Sequence, residues 1–154
     1  LYTGLIEKIK PSDDELAQVL AHEIAHALAK HTAEKMSVAL ATSLGVLAVG
    51  VATDNRNIAT GASAAALVAV TLPNSRTAES EADEIGIQLA ARAGYNPEAA
   101  VTLWQKMSKE SGGSSFDFLS THPSSGKRIE RLQSLVPKMM PYYEEQKPHP
   151  VYPL

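Results

Sequence analysis

The pentapeptide His22-Glu23-Ile24-Ala25-His26 constrains this chain more than any other stretch. It lies in a run that predicts a helix, where side chains four residues apart stack on one face. His22 and His26 can therefore direct two imidazoles at one metal ion, and Glu23 can reach a water bound there. H-E-x-x-H on a helix is typical of zinc hydrolases in which the glutamate is the general base. The motif is short, so the rest of the chain has to supply a further ligand.

Composition indicates one globular domain and argues against several other classes of protein. The 154 residues are 44% hydrophobic and 20% charged, which is an ordinary balance for a folded domain. The formal net charge is −3, whereas a nucleic-acid-binding protein would carry a basic stripe, so no nucleic-acid partner is expected. The sequence contains no cysteine, which excludes disulfides, thiolate metal sites and a cysteine nucleophile.

The N-terminal part predicts a mainly α (α+β) fold with little β structure. Residues 2–9 are predicted to form a short strand. Ser12 and Glu15 match a capping box, which predicts the start of a helix that would run to about Glu34. The apolar, core-facing stripe of this helix is predicted to consist of Leu20, Ile24 and Leu28.

Two apolar arms rich in small residues follow, at residues 36–52 and 58–72, with a polar turn between them. They predict a helical hairpin over Met36–Leu72. Each arm is shorter than the roughly 20 residues that a membrane span requires. A hairpin that is buried or faces a protein partner is the preferred interpretation, and contact with a membrane is the alternative.

The C-terminal half predicts three further helices and an irregular end. The helices are expected over residues 75–92 with a stop at Gly94, from Asn96-Pro97 to about residue 111, and over residues 124–136. The predicted organisation is one folded domain at residues 1–138 and a proline-rich, irregular tail at residues 139–154.

A catalytic zinc needs a third protein ligand beside two histidines. Glu79 and Asp83 lie four apart on a predicted helix, so one could bind the metal while the other accepts the N–H of a ligating histidine. The alternative is a solvated acidic first turn. His31 would lie on the face of a straight helix opposite His22, which predicts a surface or packing histidine rather than a ligand.

His122 and Arg128 are the remaining candidates for the site. His122 could donate a hydrogen bond to an oxyanion, or it could occupy the open position of the zinc and keep an enzyme latent. A histidine bound to local backbone is the alternative. Arg128 could anchor a substrate or a carboxylate of the core, although a lone arginine is more often a surface residue.

Together these motifs resemble the M48 metallopeptidases. The resemblance is carried by residues 22–31, by Ser75-Arg76 with residues 79–83, by residues 94–100, and by Ser120-Thr121-His122-Pro123 with Arg128. It implies a zincin-like (gluzincin) fold and one zinc ion held by His22, His26 and Glu79, with Glu23 as general base. The Ser-Thr-His-Pro segment is most similar to the soluble, periplasmic members of the family.

The sequence therefore predicts a zinc-dependent endopeptidase that acts on proteins or peptides. Protein quality control in the bacterial cell envelope, and a periplasmic location, follow from the resemblance alone. Another H-E-x-x-H hydrolase, such as a deformylase, is an alternative, but that family uses a cysteine ligand. A third interpretation is a chaperone-like or docking module with a latent or structural metal site, for which four protein ligands would be expected. The oligomeric state is left open.

Overall fold

The computed structural model describes residues 5–53, 75–110, 122 and 126–149. The elements in chain order are a π-helical turn at Leu5–Ile9, α1 at Asp13–Leu28, α2 at His31–Thr53, α3 at residues 75–92, α4 at Glu98–Glu110 and α5 at Gly126–Glu144. These ranges contain no strand, which confirms the mainly helical prediction. The second arm of the predicted hairpin lies outside the described residues.

The strand predicted over residues 2–9 is wrong where the structure describes it. Leu5 and Ile9 are the two buried residues of the first turn, and the three side chains between them are exposed. A spacing of four between buried residues suits a helical turn, whereas a half-buried strand would alternate every second residue. Residues 2–4 lie outside the described ranges.

The described residues fall into two compact units. One is drawn from Leu1–Ala25 and Glu81–Leu154, and the other from His26–Ser80. In the first unit α4 packs against α5 and against the Leu5–Ile9 turn. Leu103, Trp104 and Met107 lie on one face of α4 and are buried there.

Helix ends follow the local signals of the sequence closely in the first unit. The Ser12 N–H donates to Glu15 Oε2 at 2.9 Å and the Glu15 N–H donates to Ser12 Oγ at 3.3 Å, which confirms the capping box. The Asn96 side chain accepts from the Glu98 N–H at 2.9 Å and starts α4. Gly94, with φ of 87°, ends the run that begins with α3.

The first helix departs from its prediction in two ways. α1 ends at Leu28 instead of continuing to about Glu34, because Lys30 adopts a left-handed φ of 56°. The predicted core stripe is also wrong, since its members are exposed. The exposed fractions are 45% for Leu20, 52% for Ile24 and 61% for Leu28.

Close packing of α1 against α3 explains why the large apolar residues point outward. A Cβ added to Gly86 would lie 3.0 Å from the backbone Cα and N of His22. The helices can approach this closely only where the side chains between them are small. Ala21 and Ala25 provide that surface on α1 and are buried.

The irregular tail predicted from residue 139 is wrong up to Glu144, where α5 ends. α5 continues through Pro137 and Pro141, although each proline removes a backbone donor from the helix. Met139 is buried in the core of the first unit, and Tyr142 packs against that core. Tertiary packing thus extends the helix, while the domain boundary at residue 138 stays a prediction.

Glu15 carries a charge that the fold of the first unit depends on. Beyond its cap, its carboxylate accepts from Thr102 Oγ1 at 2.7 Å and from Lys106 Nζ at 2.6 Å. Burial would raise the pKa of Glu15, but the bonds from Lys106, Ser12 and Thr102 and the charge of Lys106 outweigh it and lower the pKa below 4.5. The stabilisation from this group is therefore present above the unfolded pKa and is lost as the pH falls through the lower, folded pKa.

We expect Glu15→Gln to reduce the free energy of unfolding at pH 7 by roughly 1–3 kcal/mol, because a hydrogen-bonded charge is lost. The variant should also lose less stability than the wild type between pH 5 and pH 3, in the window expected for a glutamate with a lowered pKa. Urea denaturation across this pH range measures both effects. Glu98→Gln, at an exposed glutamate of α4, is the control. Equal pH slopes for Glu15→Gln and the wild type would contradict the assignment.

Candidate metal centre

His22 lies on the buried side of α1, next to a carboxylate of α3. Its Nδ1 is 3.1 Å from Asp83 Oδ1. A carboxylate at this distance favours the tautomer with the proton on Nδ1, which leaves the lone pair of Nε2 available to a metal. Asp83 therefore has the contact predicted for the carboxylate that orients a ligating histidine.

Asp83 is itself held by Arg128 of α5. Arg128 donates from Nε to Asp83 Oδ2 at 2.7 Å and from Nη2 to Asp83 Oδ1 at 2.6 Å, and both side chains are buried. The Arg128 guanidinium carbon lies 3.6 Å from the centroid of the Trp104 ring. Nη2 also approaches His22 Nε2 to 3.4 Å, which suits a lone pair on that nitrogen because arginine can only donate. Of the two predicted roles of Arg128, the structure shows the contact with a core carboxylate.

His122 and Glu23 lie beside His22 in the same unit. His122 Nδ1 is 3.3 Å from His22 Nε2, and His122 Nε2 is 3.3 Å from Glu23 Oε1. The two imidazole rings meet edge to face, with centroids 5.1 Å apart. Glu23 has 47% of its side chain exposed, so its carboxylate is accessible to water.

His26 and Glu79 meet in the second unit. His26 Nε2 is 3.2 Å from Glu79 Oε1, and both side chains are largely buried. Because α1 is continuous from Asp13 to Leu28, His26 follows His22 by one helical turn on the same face. Residues 79 and 83 are related in the same way along α3. Glu79, which the sequence predicts as the third ligand, therefore lies next to His26.

His31 was placed incorrectly by the argument from a straight helix. The end of α1 and the turn at Lys30 bring His31 back onto His26, with 2.8 Å between the two Nδ1 atoms. His31 is only 2% exposed, so it is a packing histidine rather than a surface one. Sequence reasoning missed its contact with His26 because Leu28-Ala29-Lys30 contains neither glycine nor proline to signal the end of a helix.

Two pairs of donor atoms have separations close to those found between the ligands of a zinc ion. Two atoms that each lie about 2.0–2.2 Å from a tetrahedral zinc are roughly 3.3–3.5 Å apart. His26 Nε2 and Glu79 Oε1, at 3.2 Å, and His22 Nε2 and His122 Nδ1, at 3.3 Å, have close to this separation within their own units. Imidazole nitrogens and a carboxylate oxygen are ligand types that zinc accepts, so each pair could contribute to a metal site.

Comparison with known proteins identifies the family. The family model described as "Peptidase family M48" matches residues 1–136 of this chain. The chain belongs to peptidase family M48. This confirms the resemblance found in the sequence, and it sets aside the deformylase alternative.

The relatives in this M48 family include metalloendopeptidases. The mitochondrial metalloendopeptidase OMA1 of Schizosaccharomyces pombe is 39% identical over 142 residues, which cover 90% of this chain and 41% of the relative. The protein of the same name from Saccharomyces cerevisiae is 37% identical over 145 residues, covering 87% and 40%. The beta-barrel assembly-enhancing protease of Escherichia coli is 30% identical over 144 residues, covering 84% and 29%. The M48 chain therefore spans about two fifths of the length of the yeast relatives. No solved structure gives a significant match.

We expect Asp83→Asn to weaken zinc binding about 10–100-fold, the usual cost of losing a residue that orients a ligand. The substitution should also lower the free energy of unfolding by roughly 3–5 kcal/mol, because it leaves the buried charge of Arg128 without its partner. Zinc titration against a chromophoric chelator and urea denaturation measure the two effects.

Glu84→Gln is the matched control, since Glu84 lies next to Asp83 and pairs with Arg131 of α5 at 3.0 Å, but with both side chains exposed. That exposed pair should contribute less than about 1 kcal/mol. Similar losses in the two variants would show that the contact between Asp83 and His22 has no special role.

Proposed function

We propose that this M48 chain carries the catalytic domain of a zinc-dependent endopeptidase, with a gluzincin-type fold and one zinc ion held by His22, His26 and Glu79. The observation that carries the proposal is the 3.2 Å contact between His26 Nε2 and Glu79 Oε1. A carboxylate 53 positions after His26 in the sequence thus meets one of the two imidazoles of the motif. The proton-accepting partner of His22, Asp83, gives independent support.

The reaction would divide its tasks between the ion and the side chains around it. A bound zinc would supply a Lewis acid that acidifies water and polarises the scissile carbonyl. Glu23 accepts the proton of the attacking water on its carboxylate and returns it to the departing amine. Its exposed position on α1, next to His22, leaves room for a peptide to approach.

His122 has contacts that favour the latent role over the oxyanion role. His122 Nδ1 lies 3.3 Å from His22 Nε2, which is close to the distance between two ligands of one zinc ion. His122 Nε2 lies beside the carboxylate of Glu23. A histidine in this position engages the general base and can fill the fourth place around the metal. The same contacts favour the second candidate function, a chaperone-like or docking module whose metal site is latent or structural, because closed zinc sites have four protein ligands.

A role in protein quality control at the cell envelope is part of the same proposal. It is supported by the bacterial relatives, whose name describes a protease that enhances beta-barrel assembly. A periplasmic location rests on the resemblance of the Ser-Thr-His-Pro segment, whereas the yeast relatives are named as mitochondrial. Proteins and peptides are the proposed substrates.

The apolar helix α2 is proposed to contact a lipid bilayer. It is the one helix in the described part of the chain that is long and apolar enough to cross a membrane, and an apolar stretch of 18 residues within His31–Ala52 has no buried residue. The exposed apolar residues are Met36, Leu40, Leu44, Leu47, Val49 and Val51. For this arm of the predicted Met36–Leu72 hairpin, burial in the protein's own core is therefore wrong. An apolar surface without charges after Lys35 suits lipid better than the polar rim of a protein partner.

We expect Glu23→Gln to retain one zinc per chain and to cleave casein at least about a hundredfold more slowly than the wild type, because the general base is lost. Glu81→Gln, at an exposed glutamate of α3, should keep full activity. His122→Ala should raise activity if His122 holds a latent state. Full activity in Glu23→Gln would refute the mechanism, and zinc binding without cleavage in the wild type and in His122→Ala would favour the docking module.

We expect the full chain to float with liposomes, and Leu44→Lys to reduce the bound fraction at least about tenfold, because a lysine at the centre of a membrane helix costs roughly 2.5–3.5 kcal/mol. Leu44→Ile is the control, since it keeps the surface apolar. Flotation gradients measure both variants. Equal flotation of Leu44→Lys and Leu44→Ile, or no flotation of the wild type, would exclude lipid as the partner of α2.

A further inference from the structure

We propose that His31 is a positioning residue that decides which ring nitrogen of His26 carries the proton. This inference rests on the proposed zinc site, and it assigns a function to a buried histidine that the peptidase mechanism above does not use. All the residues that carry it, His26, His31 and Glu79, belong to the second unit.

The chain places His31 against His26 by a specific local device. α1 ends at Leu28, Lys30 takes a left-handed φ of 56°, and His31 is the first residue of α2. A lysine in this conformation is strained by roughly 1–2 kcal/mol, which the surrounding packing has to offset. The result is a buried contact of 2.8 Å between His31 Nδ1 and His26 Nδ1, with ring centroids 4.9 Å apart.

Two neutral imidazoles that meet through their Nδ1 atoms at this distance share one proton, and only two arrangements are possible. In the first, His26 donates its Nδ1–H to His31, and the lone pair of His26 is on Nε2. In the second, His31 donates, and the proton of His26 is on Nε2, which faces Glu79 Oε1 at 3.2 Å. Only the first arrangement lets His26 bind a metal through Nε2, so His31 has to act as the acceptor when zinc is bound.

The two ligating histidines thus have chemically different partners. His22 faces the carboxylate of Asp83, whereas His26 faces a neutral imidazole. A carboxylate in the place of His31 would bring a second negative charge close to Glu79. An imidazole gives the same orientation to His26 without adding that charge, and it can also donate when no metal is present.

The test uses the full chain, with zinc alone as the probe. His31→Leu removes the acceptor and fills the space with an apolar side chain. His31→Asn keeps an oxygen near the position of Nδ1, so it can still accept the proton of His26. The control is His149→Leu, since His149 stacks on Tyr143 of the first unit, with centroids 3.9 Å apart, and takes no part in the site.

We expect His31→Leu to weaken zinc binding about 10–100-fold in chelator competition, while His31→Asn stays within a few-fold of the wild type. His149→Leu should match the wild type. Long-range proton–nitrogen NMR of the zinc-loaded wild type should show the proton of His26 on Nδ1 and that of His31 on Nε2. This tautomer assignment is a signature that a purely structural role for His31 would not require.

Unchanged zinc affinity in folded His31→Leu, or a zinc-loaded wild type with the proton of His26 on Nε2, would overturn the inference. If His31→Leu does not fold, the affinity of His31→Asn and the tautomers of the wild type decide in its place. The proposed zinc site is tested separately by His26→Ala. Zinc binding that survives His26→Ala, or its absence in the wild type, would refute the site itself and the role of His31 with it.

Discussion

The buried pair of Asp83 and Arg128 is the interaction on which the orientation of His22 depends. Burying two charges costs more free energy than a well-packed apolar pair would, even with the two hydrogen bonds of 2.6 and 2.7 Å. The pair is therefore better explained by what it orients than by the stability it adds. Arg128 fixes the carboxylate, and the carboxylate fixes the tautomer of His22. The Trp104 ring below the guanidinium links this arrangement to the apolar core of α4 and α5.

The short distance between α1 and α3 also determines which side chains α1 buries. The His22 side chain on α1 can meet a carboxylate on α3 only if the two backbones lie close together, and Gly86 against the backbone of His22 shows how close they are. Alanines then take the place of leucines on the buried side. Leu20 and Ile24 remain exposed as a consequence. Hydrophobic periodicity identified the helix correctly but gave the wrong buried face, because the site required small residues where a core would take large ones.

Local chemistry made much of the fold predictable, and tertiary packing accounts for what was missed. The cap of Ser12 and Glu15 and the turn at Gly94 are set by residues a few positions apart, so the sequence contains the whole signal. The ligand motif is predictable for the same reason, since the spacing of His22 and His26 is the pitch of a helix. By contrast, the left-handed turn at Lys30 has no local signal. The end of α1 coincides with the packing of His31 against His26, which no local sequence pattern indicates.

His31 is at once the histidine that contacts His26 and the first residue of the apolar helix α2. A helix transmits displacement along its axis because its backbone hydrogen bonds hold it rigid. His31 can either donate a hydrogen bond to His26 or accept one from it. A bilayer bound to α2 can therefore influence His26 only if it binds the chain more tightly in one of these two arrangements. Equal affinity for both would leave their populations unchanged. The zinc affinity of the chain in the presence and absence of lipid is then the quantity that connects the apolar helix to the chemistry of the site.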